Sequence, residues 1–267
     1  MGLGGSDLAD LNYLPEELGL KVGAQRTRHK ISATKKSCEL KGDRCIHFTL
    51  SYDFVWELMW NDCCFYCLRA PIRPYYDKDG YVRSYPLGMD RLESSKSYTQ
   101  LNTVACCKIC NFAKSDQSIK RMLNWMTRLR PNAWQERPND PEYDYSLLED
   151  LRFKVLYKVK QKEAKRRNKK WDLSHEEVLR LFQSHCLYCW APPSNSFKYG
   201  NNEPLLYNGI DRYNNDVGYI EGNCVAACKY CNRAKNDLPD MWWGVWVLEM
   251  QNNLPRLIKE FQGRGLI

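Results

Sequence analysis

Two CxxC pairs occur twice in the chain at matching offsets, and no other feature constrains the fold as much. The first set is Cys64-Phe-Tyr-Cys67 with Cys107-Lys-Ile-Cys110; the second is Cys186-Leu-Tyr-Cys189 with Cys228-Lys-Tyr-Cys231. Two thiolates three positions apart grip one side of an ion, so two such pairs suit one structural Zn2+ held tetrahedrally by four sulfurs. The pairs are separated by 39 and 38 residues. That is longer than a compact zinc ribbon, so a β-hairpin must lie between them. The alternative is eight buried or redox-active thiols, which gives no reason for two matching quartets. Metal binding would also supply folding free energy to each small unit. Cys63 and Cys106 adjoin Cys64 and Cys107 and compete with them as ligands, whereas Cys38, Cys45 and Cys224 read as ordinary thiols.

The repetition reaches well beyond the cysteines. Gly88-Met-Asp90-Arg91, Tyr98, Asn102 and Asn111-Phe-Ala-Lys114 match Gly209-Ile-Asp211-Arg212, Tyr219, Asn223 and Asn232-Arg-Ala-Lys235, and 17 positions separate Asp from the third Cys in both copies. Upstream, Phe48 to Leu58 parallels Trp171 to Leu181; downstream, Met122 to Met126 parallels Trp242 to Val247. Self-similarity at a fixed period marks a duplicated structural unit. The expected organisation is an N-terminal extension (1–23), a first zinc unit (24–130), a connecting segment (131–151) rich in proline and acid, and a second zinc unit (152–267).

Charge is uneven along the chain. The net charge is +8, yet residues 152–170 alone hold ten Lys/Arg and one acid, leaving about −1 for the rest. Lys158, Lys162, Lys165, Arg166, Arg167, Lys169 and Lys170 are therefore candidate phosphate contacts, since such local asymmetry points to a polyanion. A second basic stretch, Lys21 to Lys36, has six Lys/Arg and no acid. Solvated helix faces are also often basic. No apolar run approaches the ~18 residues a bilayer span needs, which argues against a membrane role. Residues 1–10 lack a basic and an apolar signal region. With an odd count of thirteen cysteines, this leads to the expectation of an unsecreted protein in a reducing compartment, cytoplasm or nucleus.

One unit reads as a basic helix (Phe153 to Arg167 in the second copy), then a helix capped by Ser51 or Ser174, then the first CxxC. A loop rich in Pro, Gly and Tyr follows. A short strand carries Asp90 or Asp211, and a turn leads to a second strand at Asn102 or Asn223. The second CxxC opens a helix, and a last helix carries the aromatic stripe Trp242, Trp243 and Trp246, whose helical spacing favours a core role. Tyr66 and Tyr188 are expected to pack over the hairpin, and His185 near the zinc. The fold class is α+β: two tandem zinc-stabilised ββα units flanked by helices.

In this order — CxxC, strand Asp, Asn, then CxxC-Asn-x-x-Lys — the chain resembles the HNH, or His-Me finger, endonucleases. It is especially similar to the endonuclease VII-like proteins of phages and large DNA viruses, and the resemblance covers most of both units. It implies that Asp90 and Asp211, with Asn111 and Asn232, ligate a catalytic Mg2+ or Mn2+, for which hard oxygen ligands are suited. It also implies that Asn102 and Asn223 orient the catalytic base, and it adds a viral or phage protein acting in its host as an alternative to a cytoplasmic or nuclear one. The chain departs from the family at one position. Where the family has a base histidine, Arg91 and Arg212 stand, and a guanidinium cannot accept the proton. It can clamp phosphate oxygens instead. None of the four histidines (His29, His47, His175, His185) occupies that position. A metal-bound hydroxide, or Tyr98 and Tyr219, are the remaining candidates for the base.

Three functions are compatible with this reading. The first is an HNH-like, metal-dependent DNA endonuclease that hydrolyses phosphodiesters, monomeric because its two units form a pseudo-dimer. In the second, cleavage is lost with the base and a zinc-stabilised nucleic-acid-binding protein remains, double-stranded DNA being the favoured partner. The third is a structural component of a nucleoprotein assembly. In each, Lys114 and Lys235 are either phosphate contacts or solvated.

Overall fold

A computed structural model describes residues 12–39 and 46–267; Cys45 lies outside them. The chain packs into two compact units, one running to residue 124 and completed by residues 249–267, the other formed by residues 125–248. These boundaries follow packing, whereas the sequence repeat follows register, and the two divisions do not coincide.

The first unit begins with β1 (Asn12–Tyr13) and the long α1 (Glu16–Glu39), followed by α2 (Tyr52–Trp60). Ser51 caps α2 by accepting from the Phe54 amide at 3.3 Å. α1 approaches α2 closely at Gly23, where an added Cβ would lie 2.9 Å from the Trp56 ring. Nearby, the Trp60 indole donates to Thr27 Oγ1 at 3.1 Å. Next come β2 (Ile72–Tyr76) and β3 (Val82–Tyr85), which with β1 form a three-stranded antiparallel sheet. The sequence reads this stretch as loop; a turn at Asp77, whose side chain accepts from the Asp79 and Tyr81 amides, closes it into a hairpin instead. β4 (Gly88–Arg91) pairs antiparallel with β5 (Thr103–Cys106), placing Asp90 opposite Val104. α3 (Lys108–Lys114) completes the ββα element, and α4 (Ile119–Met126) follows.

The second unit repeats the pattern. α5 (Leu151–Arg166) packs Phe153, Leu156 and Tyr157 into a core with Val178, Leu179 and Phe182 of α6 (His175–Gln183). Ser174 and Glu177 form a reciprocal capping box at the start of α6, which satisfies two otherwise unpaired amides. β6 (Trp171–Asp172) precedes α6, and β7 (Asn195–Phe197) and β8 (Leu205–Tyr207) form a hairpin after it. The ββα element is β9 (Gly209–Arg212), β11 (Cys224–Ala227) and α7 (Lys229–Lys235), with Asp211 opposite Val225. Between β9 and β11, β10 (Tyr219–Ile220) runs parallel to β6. The first unit keeps this last pairing only as the single bridge Phe48–Tyr98.

Residues 131–150 connect the repeats and also pack into the second unit. Ala133 is buried, Trp134 meets Tyr188 and Tyr213 edge-on, and Asp144 exchanges hydrogen bonds with the Gln183 side chain. The chain then enters α8 (Asp240–Asn252), where Trp243 and Trp246 of the expected core stripe are wholly buried and Trp242 is only half-buried. α9 (Leu254–Gly263) belongs to the first unit, where Leu257 and Phe261 are buried. No helix among the described residues is long and apolar enough to cross a membrane.

Candidate functional site

Each unit gathers its four cysteines. Cys64, Cys67, Cys107 and Cys110 bring their sulfurs within 4.8 Å of one another, as do Cys186, Cys189, Cys228 and Cys231, and all eight are buried. The cross-pair sulfurs Cys67–Cys107 and Cys189–Cys228 are 3.8 Å apart in both sets. Zn–S bonds of ~2.3 Å at tetrahedral angles imply S···S separations near 3.8 Å. Both sites thus fit one structural zinc ion each. Backbone geometry contributes: Cys107 caps α3 and accepts from the Cys110 amide at 3.4 Å, and the Cys107 amide donates to Cys64 at 3.3 Å. Burial pushes the Cys110, Cys186 and Cys231 thiols up, so zinc binding must displace protons. The ambiguity at the doubled cysteines is resolved, because Cys63 is exposed and Cys106 lies on β5 outside the quartet.

Sequence reasoning missed one member of the second site. The Trp125 indole N–H donates to Cys231 Sγ at 3.2 Å. In the first unit, the backbone of the knuckle is held by side chains of residues 253–256. Asn253 donates to the Tyr66 carbonyl at 2.9 Å and the Phe65 carbonyl at 3.2 Å, and Arg256 donates to the Phe65 carbonyl as well.

The residues transferred from the endonuclease resemblance are brought together, but most are engaged internally. Asp90 and Asp211 are buried. Each accepts from the tyrosine of its CxxC knuckle, Tyr66 at 2.6 Å and Tyr188 at 2.5 Å. Lys114, wholly buried, sets its ammonium 3.3 Å from Asp90 and donates to the Arg91 carbonyl at 2.7 Å. Lys235 is also buried, and its charge acts on the Asp211 carboxylate. Lys114 and Lys235 are therefore interior counter-ions, neither solvated nor placed on a phosphate-binding surface. A buried carboxylate needs a compensating charge, and the CNxxK spacing delivers it one helical turn past the last cysteine. Burial nevertheless pushes the Asp90 carboxyl up, and it pushes Asp211 up to about 6 despite the Tyr188 hydroxyl and Lys235.

Asn102 accepts from the Glu93 amide and donates to the Glu93 and Ser97 carbonyls; Asn223 makes the matching set with Asn214 and Gly218. Both amides are spent on closing the turn between the strands. Arg91 donates to the Lys96 carbonyl, and Arg212 donates to those of Asn215 and Val217. Their guanidinium carbons lie 4.8 Å and 4.9 Å from the ring centres of Tyr98 and Tyr219. Asn111 and Asn232 reach back to the Met89 and Ile210 carbonyls at 3.5 Å and 3.1 Å. Hard-oxygen ligation of Mg2+ or Mn2+ does not fit this arrangement well. The carboxylate already faces an ammonium, and a hydrated divalent ion also needs room for several waters.

In the second unit a cleft of about 440 Å³ opens beside these residues, bordered by Asp211, Arg212, Asn232 and Arg233 and by Lys160 and Arg167 at the end of the basic helix. Lys160, not singled out from the sequence, faces this cleft, although its ammonium is paired with Glu163 at 3.1 Å. Lys158, Lys162 and Lys165 lie on the opposite side of α5, because a helix turns about 100° per residue. Those three and Arg166 and Arg167 are exposed. The ion pairs of the helix involve Arg152, Lys154 and Lys160, leaving Lys158, Lys162, Lys165 and Arg166 unpaired among the described residues. Lys169 is half-buried, and exposed Lys170 pairs with Asp172 at 2.7 Å.

No protein-family model matches the chain, and no solved structure matches it. The chain is similar to an uncharacterized protein of Acanthamoeba polyphaga mimivirus, 29% identical over 161 residues. The match takes in 58% of this chain and 28% of the viral protein, so the chain spans under a third of that relative's length.

Proposed function

We propose that the protein is a zinc-stabilised nucleic-acid-binding protein whose two four-cysteine sites maintain the fold and whose basic helix α5 lies along the phosphates of double-stranded DNA. One contrast carries this reading. The carboxylates that catalysis would require are buried against lysines in both repeats, while Lys158, Lys162, Lys165 and Arg166 remain exposed and unpaired among the described residues. Eight thiols committed to zinc suit a reducing compartment, and the mimivirus relative supports a virus-encoded origin. Each neutralised phosphate releases counterions, so affinity must fall steeply with salt. With about four contacts, affinity for a 20-base-pair duplex drops roughly 10²-fold between 50 and 200 mM salt. Fluorescence anisotropy measures this. Replacing the four cations by glutamine should flatten the slope, and a slope already flat in the unaltered protein overturns the proposal.

A metal-dependent endonuclease is the second reading. Its support is that Asp211, Asn232 and Arg212 border one cleft in the second unit. Supercoiled plasmid incubated with Mg2+ or Mn2+ decides between the two. Under the binding reading it is retarded on a gel and stays supercoiled. Metal-dependent nicking that disappears in Asp211→Asn would establish the nuclease.

A further inference from the structure

The two quartets differ in the sulfur that surrounds them. Cys106 stands outside the first quartet, but its thiol hydrogen-bonds the Cys64 sulfur and lies 3.4 Å from the Cys107 carbonyl oxygen. Met250 of α8 brings its Sδ to 3.6 Å from Cys110 Sγ. Both residues are wholly buried in the first unit. The second site has neither sulfur. Alanine replaces Cys106, because the sheet register sets Cys106 opposite Gly88 and Ala227 opposite Gly209. Where Cys110 meets Met250, Cys231 meets the Trp125 indole. Ala227 is as fully buried as Cys106, so packing at this place does not require a thiol.

Zinc does not use the added sulfurs. Four thiolates close a tetrahedral structural site, and Cys64, Cys67, Cys107 and Cys110 already supply them. A continuous group of six sulfurs suits a softer ion, since thiolate and thioether ligands select Cu(I). Cu(I) accepts linear or trigonal sulfur ligation and shares thiolates between neighbouring ions, so the enlarged set has room for a pair. We propose that the first site exchanges its zinc for two Cu(I) ions before the second site takes any, with Cys106 as the fifth thiolate and the Met250 thioether as the sixth ligand. Zinc leaves as Zn2+, the Cys106 proton passes to water, and no electron moves. The exchange adds one negative charge to the metal and its thiolates. Arg69, paired with Glu249 at 3.0 Å, also feels the Cys67 and Cys107 charges and offsets part of it. The second repeat has Ala191 at this place, as the matching 2.8 Å bonds from the Cys64 amide to the Arg69 carbonyl and from the Cys186 amide to the Ala191 carbonyl show. The proposal goes beyond the nucleic-acid-binding reading and does not depend on it.

Native mass spectrometry tests this by counting both metals on each chain. The full-length protein, loaded with zinc at both sites, is titrated without oxygen with Cu(I) buffered by bicinchoninate. One zinc should leave and two coppers enter while the other zinc stays. Replacing the remaining zinc should need a Cu(I) activity at least about tenfold higher, the size of effect that near neighbours have on metal affinity. Cys106→Ala gives the first site the residue of the second, and Met250→Leu keeps the volume but removes the thioether. Cys106→Ala should hold one copper fewer, and each variant should narrow the tenfold gap while binding both zinc equivalents before copper is added. Zinc ions that leave together, a first site that takes a single copper, or a gap that both variants preserve each overturn the proposal. Should Cys106→Ala lose its zinc, the unaltered protein and Met250→Leu decide by the same counts. Each of these failures leaves the nucleic-acid reading untouched, since that reading is tested by salt dependence.

Discussion

Replacing Trp125 by phenylalanine isolates one hydrogen bond at the second zinc site. The indole is 2% exposed, and its N–H lies 3.2 Å from Cys231 Sγ. Four thiolates around Zn2+ carry a formal charge of −2, and a donor aimed at one sulfur offsets part of it. A hydrogen bond to a charged group contributes about 1.5–3 kcal/mol. Outer-shell partners of metal ligands change affinity by about 10–100-fold, which is about 1.4–2.7 kcal/mol, so the two routes agree. Phenylalanine retains a ring against Trp246, whose centroid is 6.2 Å away. Competition with a chromophoric chelator should therefore show one zinc equivalent weakened by 10–100-fold and the other unchanged. In the cobalt-substituted protein, the sulfur-to-metal charge-transfer band of one site should move to lower energy. If both equivalents keep their affinity and both bands their position, the indole merely packs beside the sulfur and the reasoning fails.

Other perturbations follow from the same structure. An alanine Cβ at Gly218 would lie 2.5 Å from the Lys170 carbonyl, which also accepts from Tyr219. Gly218→Ala should cost about 1–3 kcal/mol and lower Tm by several degrees in calorimetry. Asn253→Ala takes away the donor to the Tyr66 carbonyl, while the Phe65 carbonyl keeps Arg256, and should cost about 1–3 kcal/mol, read as a lower urea midpoint at unchanged zinc content. The Asp211 carboxyl, pushed up to about 6 by burial, keeps its proton in the fold over a range where the unfolded chain has lost it. Stability should fall as pH rises from about 4 to 6, by on the order of 3 kcal/mol. Asp211→Asn should remove that slope in urea titrations. Stripping zinc with a strong chelator should abolish the cooperative transition, and a transition that survives intact would show that the thiols alone hold the core.

What the sequence made legible was local. The quartets, the Ser51 and Ser174 caps and the buried face of Trp243 and Trp246 depend on spacing within a few residues, and spacing is what a sequence displays. Lys114 and Lys235 look like surface cations because their carboxylate partners lie 24 positions earlier on another element. The repeat did contain a clue, since knuckle Tyr, strand Asp and helix Lys recur together in both copies. Reading the ten basic residues of 152–170 as one patch also missed the geometry. Helical rotation sends Lys160 to the cleft and Lys158 away from it, and only the packing of Phe153 and Leu156 decides which side is which. The hairpin at Ile72 to Tyr85 escaped because Pro and Gly obscured the strand alternation.

The return of residues 249–267 to the first unit has a consequence for how the protein is made. The first zinc knuckle emerges from the ribosome early, but Asn253, Leu257 and Phe261, which close over it, emerge only after the intervening residues 125–248. At about 5–20 residues per second this interval is roughly 6–25 s. During it, the Tyr66 and Phe65 carbonyls and the surface that Phe261 later covers face solvent. Zinc held by the first quartet would fix the knuckle through that interval, before α9 covers it.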